Sequence, residues 1–192
     1  MLQHTTGHSN IAIGYAAMDG TAGASASASI ENLFIGVNCG GGNWVDDTAS
    51  SYNIGIGNNT MSAAMDGALH NCVVGYSAGS AIREGDRNTC IGGASGATIT
   101  DGEKNTCIGN NSDVAADVDN QIAIGYSTTV TAQYGIAIGD DITNSTTETF
   151  MWGASGKTVI TTDFDTSSVA FTQSSDVRKK RNIKDDHLGL EF

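Results

Sequence analysis

A five-residue block ending in glycine recurs eight times along this chain, and that recurrence constrains its fold more than any other feature. The copies are NIAIG at 10–14, NLFIG at 32–36, NIGIG at 53–57, NCVVG at 71–75, NTCIG at 88–92 and 105–109, QIAIG at 121–125 and GIAIG at 135–139. Successive glycines are separated by 22, 21, 18, 17, 17, 16 and 14 residues. Self-similarity on this scale marks a repeat architecture. Each block supplies one short strand and a corner, too little to bury an apolar face alone, so the copies must stack into a β-solenoid of about eight coils. With strands about 4.8 Å apart, seven steps give a shaft of roughly 34 Å.

The columns of the repeat carry the core expectation. The residue before each glycine is Ile13, Ile35, Ile56, Val74, Ile91, Ile108, Ile124 or Ile138, and the residue three before it is mostly β-branched as well. Eleven of the seventeen isoleucines lie in these blocks. Side chains alternate across a strand, so these two columns are expected to face inward as the dry interior. The middle column (Ala12, Phe34, Gly55, Val73, Cys90, Cys107, Ala123, Ala137) is then expected to point outward. Asparagine opens the first six copies, where a stacked amide ladder or a corner cap is physically sensible. The extra residues of the longer N-terminal intervals, 15–31, 37–52 and 58–70, are expected to form surface loops.

Composition agrees with a β-rich chain. There are 192 residues with 25 glycines and no proline, and five leucines stand against seventeen isoleucines. Average usage would put about ten prolines in this length. The net charge of −12 argues against nucleic acid, which needs clustered Lys and Arg to displace counterions, and against an anionic membrane surface. No apolar run approaches the roughly 18 residues of a membrane span, and Met1-Leu2-Gln3-His4 is not the charged start of a secretory signal. Synthesis in the cytoplasm is expected. Cys39, Cys72, Cys90 and Cys107 form neither a CxxC pair nor a metal-ligand spacing, so free, buried or half-buried thiols are expected, with no metal and no cofactor.

NIAIG, QIAIGYSTTV and GIAIGDDIT resemble the head repeats of trimeric autotransporter adhesins and the similar repeats of phage tail fibres, over residues 10–142. The resemblance implies a homotrimeric left-handed parallel β-roll. It divides the chain into a repeat shaft over 1–142, a β connector over 143–173 and a distinct C-terminal segment over 174–192. The charge changes sign there: residues 1–175 hold four basic and seventeen acidic residues, whereas 176–192 hold five and four.

That last segment, SSDVRKKRNIKDDHLGLEF, resembles the opening of the intramolecular chaperone family of phage tail spikes and fibres, approximately Ser-Asp-x-Arg-x-Lys-x-Asn-Ile. The positions are filled here by Ser175, Asp176, Arg178, Lys180, Asn182 and Ile183. The resemblance implies a C-terminal domain that assembles three chains and then removes itself, with Ser175 as nucleophile and Lys180 as general base. Burial or neighbouring cations would have to lower the lysine's pKa. The family domain runs on for roughly a hundred residues, but this sequence ends at Phe192; the chain as given is therefore expected not to cleave itself. Together the two resemblances imply a virion component, a tail-fibre or spike segment displaying loops to a host-surface glycan or protein and joined to other phage tail proteins. The alternative is the head of a bacterial trimeric surface adhesin, which the lack of a secretion signal and of a C-terminal membrane anchor disfavours.

Other motifs fall to context. GYSAG at 75–79 satisfies G-x-S-x-G, but Ser77 lies in the repeat register and an elbow needs a strand-to-helix turn. GASGKT at 153–158 has Met151 where a phosphate loop needs its first glycine. A hexapeptide acyltransferase needs a strict period of six, a calcium β-roll needs repeated GGxGxD, and an ice-binding solenoid a regular Thr array; none of these is present. Tyr15, Tyr76 and Tyr126 each follow a repeat glycine and are expected to pack at corners. Trp44, in a glycine-rich loop with Asp46 and Asp47, is the expected receptor contact.

Overall fold

The computed structural model describes residues 7–20, 28–44 and 48–164, and the backbone of 171–173. The chain is all-β, with no α-helix among the described residues. The strands are β1 (Ile11–Ile13), β2 (Leu33–Ile35), β3 (Ile54–Ile56), β4 (Cys72–Val74), β5 (Thr89–Ile91), β6 (Thr106–Ile108), β7 (Asp113–Val114), β8 (Ile122–Ile124), β9 (Thr129–Val130), β10 (Ile136–Asp140), β11 (Thr143–Asn144), β12 (Thr149–Ala154), β13 (Ile160–Asp163) and β14 (Phe171–Gln173).

The architecture is a β-solenoid. Its main sheet runs β1-β2-β3-β4-β5-β6-β8-β10-β12-β13-β14, and each pairing from β1 to β12 is parallel and in register. Every repeat block lies on a strand of this ladder. A second sheet, β7-β9-β11, is also parallel and forms a wall over the later part of the stack. After β12 the chain reverses, and β13 and β14 add as antiparallel strands.

β12 was expected in the connector but belongs to the repeat stack. Phe150, Met151, Trp152 and Gly153 pair with Ile136, Ala137, Ile138 and Gly139, so TFMWG is another rung, 14 residues after the preceding glycine. Thr149 in place of Asn and Trp152 in place of Ile conceal it.

Two backbone devices turn each coil. The repeat glycine takes φ between 129° and 143° in the first seven blocks, and the residue two later is left-handed: Ala16, Asn38, Asn59, Ser77, Ala94, Asn111, Ser127 and Asp141. At Gly75 a Cβ would lie 2.2 Å from the carbonyl oxygen of Gly92 on the next rung. That position therefore admits glycine on steric as well as conformational grounds.

Asparagines hold the other corner. Asn32 Oδ1 accepts the backbone N–H of Asn53 at 3.0 Å and its Nδ2 at 3.2 Å, while Asn32 Nδ2 donates to Asn10 Oδ1 at 3.1 Å and to Ser50 O at 2.9 Å. The relay continues through Asn71, Asn88 and Asn105 to the backbone N–H of Gln121. The sequence pattern left a ladder and a cap as alternatives; the side chains from Asn10 to Asn71 bond to one another, and the Nδ2 groups from Asn32 to Asn105 also cap loop carbonyls. Burying these amides costs little because their donors and acceptors find partners.

The interior corrects the sequence-based assignment of faces. Phe34, Val73, Cys90, Cys107, Ala123 and Ala137 of the middle column are fully buried. Opposite them lie the residues three after each glycine, among them Cys39, Thr60, Ala78, Ser95, Ser112 and Thr128, with Trp44, Met65, Ile82, Ile99, Val114 and Val130 farther round the coil. Volumes compensate between rungs: a Cβ on Gly55 would come within 2.6 Å of the Phe34 ring, which fills the space that glycine leaves. The coil is thin enough that one strand side chain per rung enters it, and the two flanking β-branched side chains are turned out.

Candidate functional site

The outward face of the main sheet is apolar over most of its length, with Thr89 and Thr106 as polar positions near its middle. Ile13 is 57% exposed, Ile91 42%, and Ile108 36%, while Ile35, Val74, Ile124 and Ile138 are half-buried by their stacked neighbours. The second outward column reads Ile11, Leu33, Ile54, Cys72, Thr89, Thr106, Ile122, Ile136 and Phe150, and the face ends at exposed Trp152. The eight residues from Ile13 to Ile138 that were expected to form the interior thus form a ladder on the surface of the single chain. Apolar strips of this extent are uncommon on monomeric proteins.

Around this face the surface is polar. Tyr15, Tyr76 and Tyr126 project into solvent rather than packing at corners, Tyr15 at 83% exposure. Left-handed residues precede the ladder asparagines, and among them Tyr52 stacks on His70 with ring centroids 4.8 Å apart and planes 8° from parallel. On the next two rungs Arg87 meets Asp86 at 3.6 Å and Glu103 at 3.7 Å, and Lys104 meets Glu103 at 3.1 Å. Arg83, exposed and paired with Glu84, has its pKa raised first by Asp101 and then by Glu84. Such exposed pairs contribute little to stability.

The thiols are free, and three of them are interior. Burial pushes the Cys39 thiol up to about 11, partly offset by a backbone hydrogen bond involving Ile35. Cys107 is shifted upward first by its hydrogen bond with Cys90 and then by burial. Cys72 is half-buried on the outward face. Asp113 is raised by desolvation, which outweighs the hydrogen bonds it accepts from Val114 and Thr98.

Trp44 is not a surface contact. Its ring is 1% exposed and meets Phe34 edge-on, with centroids 6.0 Å apart and planes at 79°. The indole N–H has no partner among the described residues. A glycine-rich loop suggested exposure, whereas the loop turns its one large ring into the interior against Phe34. Asp46, Asp47, Ser175 and Lys180 lie outside the described residues. Ser77 sits with φ of 53° in the corner after β4, with no helix following. GASGKT spans the end of β12 and the turn into β13. Among the described residues no group of three or more His, Cys, Asp or Glu could hold a metal ion, and no helix is long and apolar enough to cross a membrane.

Comparison with family models, with curated proteins and with solved structures finds no match to this chain. Its functional reading therefore rests on its own geometry and motifs.

Proposed function

We propose that the chain is one third of a homotrimeric fibre segment, a virion tail-fibre or spike shaft that displays loops for attachment to a host surface. The observation that carries this reading is the outward apolar ladder. A β-solenoid whose interior is already filled has no internal use for a second, parallel apolar strip, and three copies turning these strips toward a common axis would cover all of them. The interior of the assembly is then of two kinds, a thin core within each chain and a shared one between chains. A three-fold ring closes the contacts between such strips without open-ended growth.

In this reading the shaft is rigid because every rung is tied to the next by backbone and amide hydrogen bonds, and the polar faces with their exposed tyrosines remain available for a host glycan or protein. Three copies multiply individually weak contacts. The resemblance of residues 175–183 to the phage chaperone opening supplies the assembly step: a C-terminal domain brings three chains together and is released by Ser175 with Lys180 as base.

The test is intact and native mass of the chain expressed with its natural downstream sequence, beside a Ser175→Ala variant. Three chains per particle, with loss of the tail only where Ser175 is present, is the expected result. A single-chain particle retaining its tail in both versions overturns the trimer and the maturation step together.

A further inference from the structure

Near its middle the outward apolar face is interrupted, and the interruption is chemically specific. In the column three residues before each glycine, Cys72, Thr89 and Thr106 stand on consecutive rungs, paired in register from β4 to β6, with apolar residues above and below them. Both threonines are half-buried by their stacked neighbours. Other threonines along the shaft hydrogen-bond within the chain: Thr60 Oγ1 donates to Gly75 O at 2.6 Å, Thr98 Oγ1 to Asp113 at 3.0 Å and Thr128 Oγ1 to Gly139 O at 2.8 Å. The Thr89 and Thr106 hydroxyls have no partner among the described residues. They are aimed where a second copy would lie.

Between Ile35 and Ile138 the rest of the face distinguishes its rungs only weakly. Its other column is isoleucine at every block except Val74, so a neighbouring copy displaced by one rung, about 4.8 Å, would meet nearly the same surface. The two hydroxyls break that degeneracy. In register, the Thr89 and Thr106 layers of one copy meet those of the others, and each hydroxyl, being both donor and acceptor, closes a hydrogen bond across the interface. After a slip of one rung, Thr106 faces a layer of Thr89 or of Ile122, so part of the set is buried against hydrocarbon without a partner, which is the costly arrangement for a polar group. A single polar position in an otherwise uniform apolar seam sets register in coiled coils by the same logic.

We propose that Thr89 and Thr106 are the register marks of the surface between copies of this chain, fixing which rung of one copy meets which rung of the next. This rests on reading the outward face as the place where copies meet, and the experiment separates the two ideas.

Two chains are co-expressed, one carrying Ile35→Cys and the other Ile56→Cys, both with Cys72→Ala so that a single outward thiol remains per chain. Ile35 and Ile56 occupy adjacent rungs of the same outward column. After mild oxidation, peptide mapping reads which cysteines have bridged. Bridges joining 35 to 35 and 56 to 56 report register; a 35-to-56 bridge between chains reports a one-rung slip. The measurement is repeated with Thr89→Val and Thr106→Val together, which keep shape and remove both hydroxyls, and native mass is recorded for each. The expected result is same-position bridges alone in the parent and a mixture including the slipped bridge in the valine variant, both as three-chain particles. Exclusive same-position bridging in the valine variant overturns the proposal, as does slipped bridging in the parent. A valine variant that stays single-chain while the parent associates overturns it too, since the hydroxyls would then serve association itself. A single-chain parent instead sinks the reading of the outward face on which the proposal stands.

Discussion

Asn53 Oδ1 accepts two hydrogen bonds from Asn71, one from its backbone N–H and one from its Nδ2, each 3.0 Å long. One side-chain oxygen thus ties both the main chain and the side chain of the rung that follows. Asn71 Oδ1 in turn accepts the backbone N–H of Asn88 at 2.9 Å, and its Nδ2 donates to Gly85 O at 2.8 Å. Asn71→Ala would leave the Asn88 N–H and the Gly85 carbonyl buried without partners, so we expect a loss of about 2–4 kcal/mol in chemical denaturation. Asn10→Ala, at the half-buried end of the ladder, is expected to cost about 1 kcal/mol. Equal effects at the two sites would show that the relay is not cumulative.

Gly75→Ala is expected to be among the most damaging single changes in the shaft. Its Cβ would lie 2.2 Å from Gly92 O at a φ of 143°, a contact with backbone that cannot yield without moving a rung. A cost on the order of 3–5 kcal/mol follows. Gly156→Ala meets nothing within 4 Å and carries only a positive φ of 71°, so about 1 kcal/mol is expected there. Thermal unfolding of the two variants side by side provides the measurement.

Trp44→Ala should destabilise the chain by about 3–5 kcal/mol by opening a cavity against Phe34. Quencher titration of tryptophan emission in a Trp152→Phe variant isolates the Trp44 ring, which is expected to resist a water-soluble quencher until the chain unfolds. Ready quenching of native protein would place that ring at the surface.

The interior thiols give an alkaline signature. Cys39 ionises at 9.0 when unperturbed and at about 11 in the fold. Because the folded state retains its proton more tightly, this contribution to stability is complete below 9 and is lost as pH rises from there through about 11. Denaturation midpoints should fall over that window in the parent and fall less steeply in Cys39→Ala. Cys39, Cys90 and Cys107 are expected to ignore a thiol reagent at pH 8 until denaturant is added.

Asp113 works in the acid range with the same sign. Its pKa is raised above 3.8 by burial, so the fold binds a proton that the unfolded chain has released, and stability falls as pH rises through the interval just above 3.8. Asp113→Asn keeps an acceptor for Thr98 and Val114 without a charge. Its stability relative to the parent should increase as pH is raised from about 3 to about 6; a flat difference across that range would contradict the assignment.

The stacking itself was legible in the sequence because glycine spacing and the recurring block are backbone requirements, and each block lies where a strand lies. The asparagine ladder was legible for the same reason. Which side chains enter the core was not: Ile13 and Ile91 look like interior residues by size and branching, and only the cross-section of the coil, filled by Phe34, Cys90 and their facing partners, shows that there is no room for them. Trp44 was misplaced because its glycine-rich surroundings read as a surface loop. The rung at Phe150–Gly153 was hidden by substitutions at two block positions, although its spacing of 14 residues repeats the preceding one. The polar interruption at Thr89 and Thr106 is visible as letters, but it acquires meaning only once that column is known to face outward.

In-register parallel stacking at the spacing of a β-ladder is also the geometry by which fibrils add one molecule after another. Here the reversal after β12 places β13 and β14 antiparallel beyond it, so the parallel order of the main sheet stops at β12. The extent of the parallel ladder at that end is thereby written into the order of strands within this one polypeptide. A structure that borrows the growth pattern of a fibril becomes, through two short strands, a ruler.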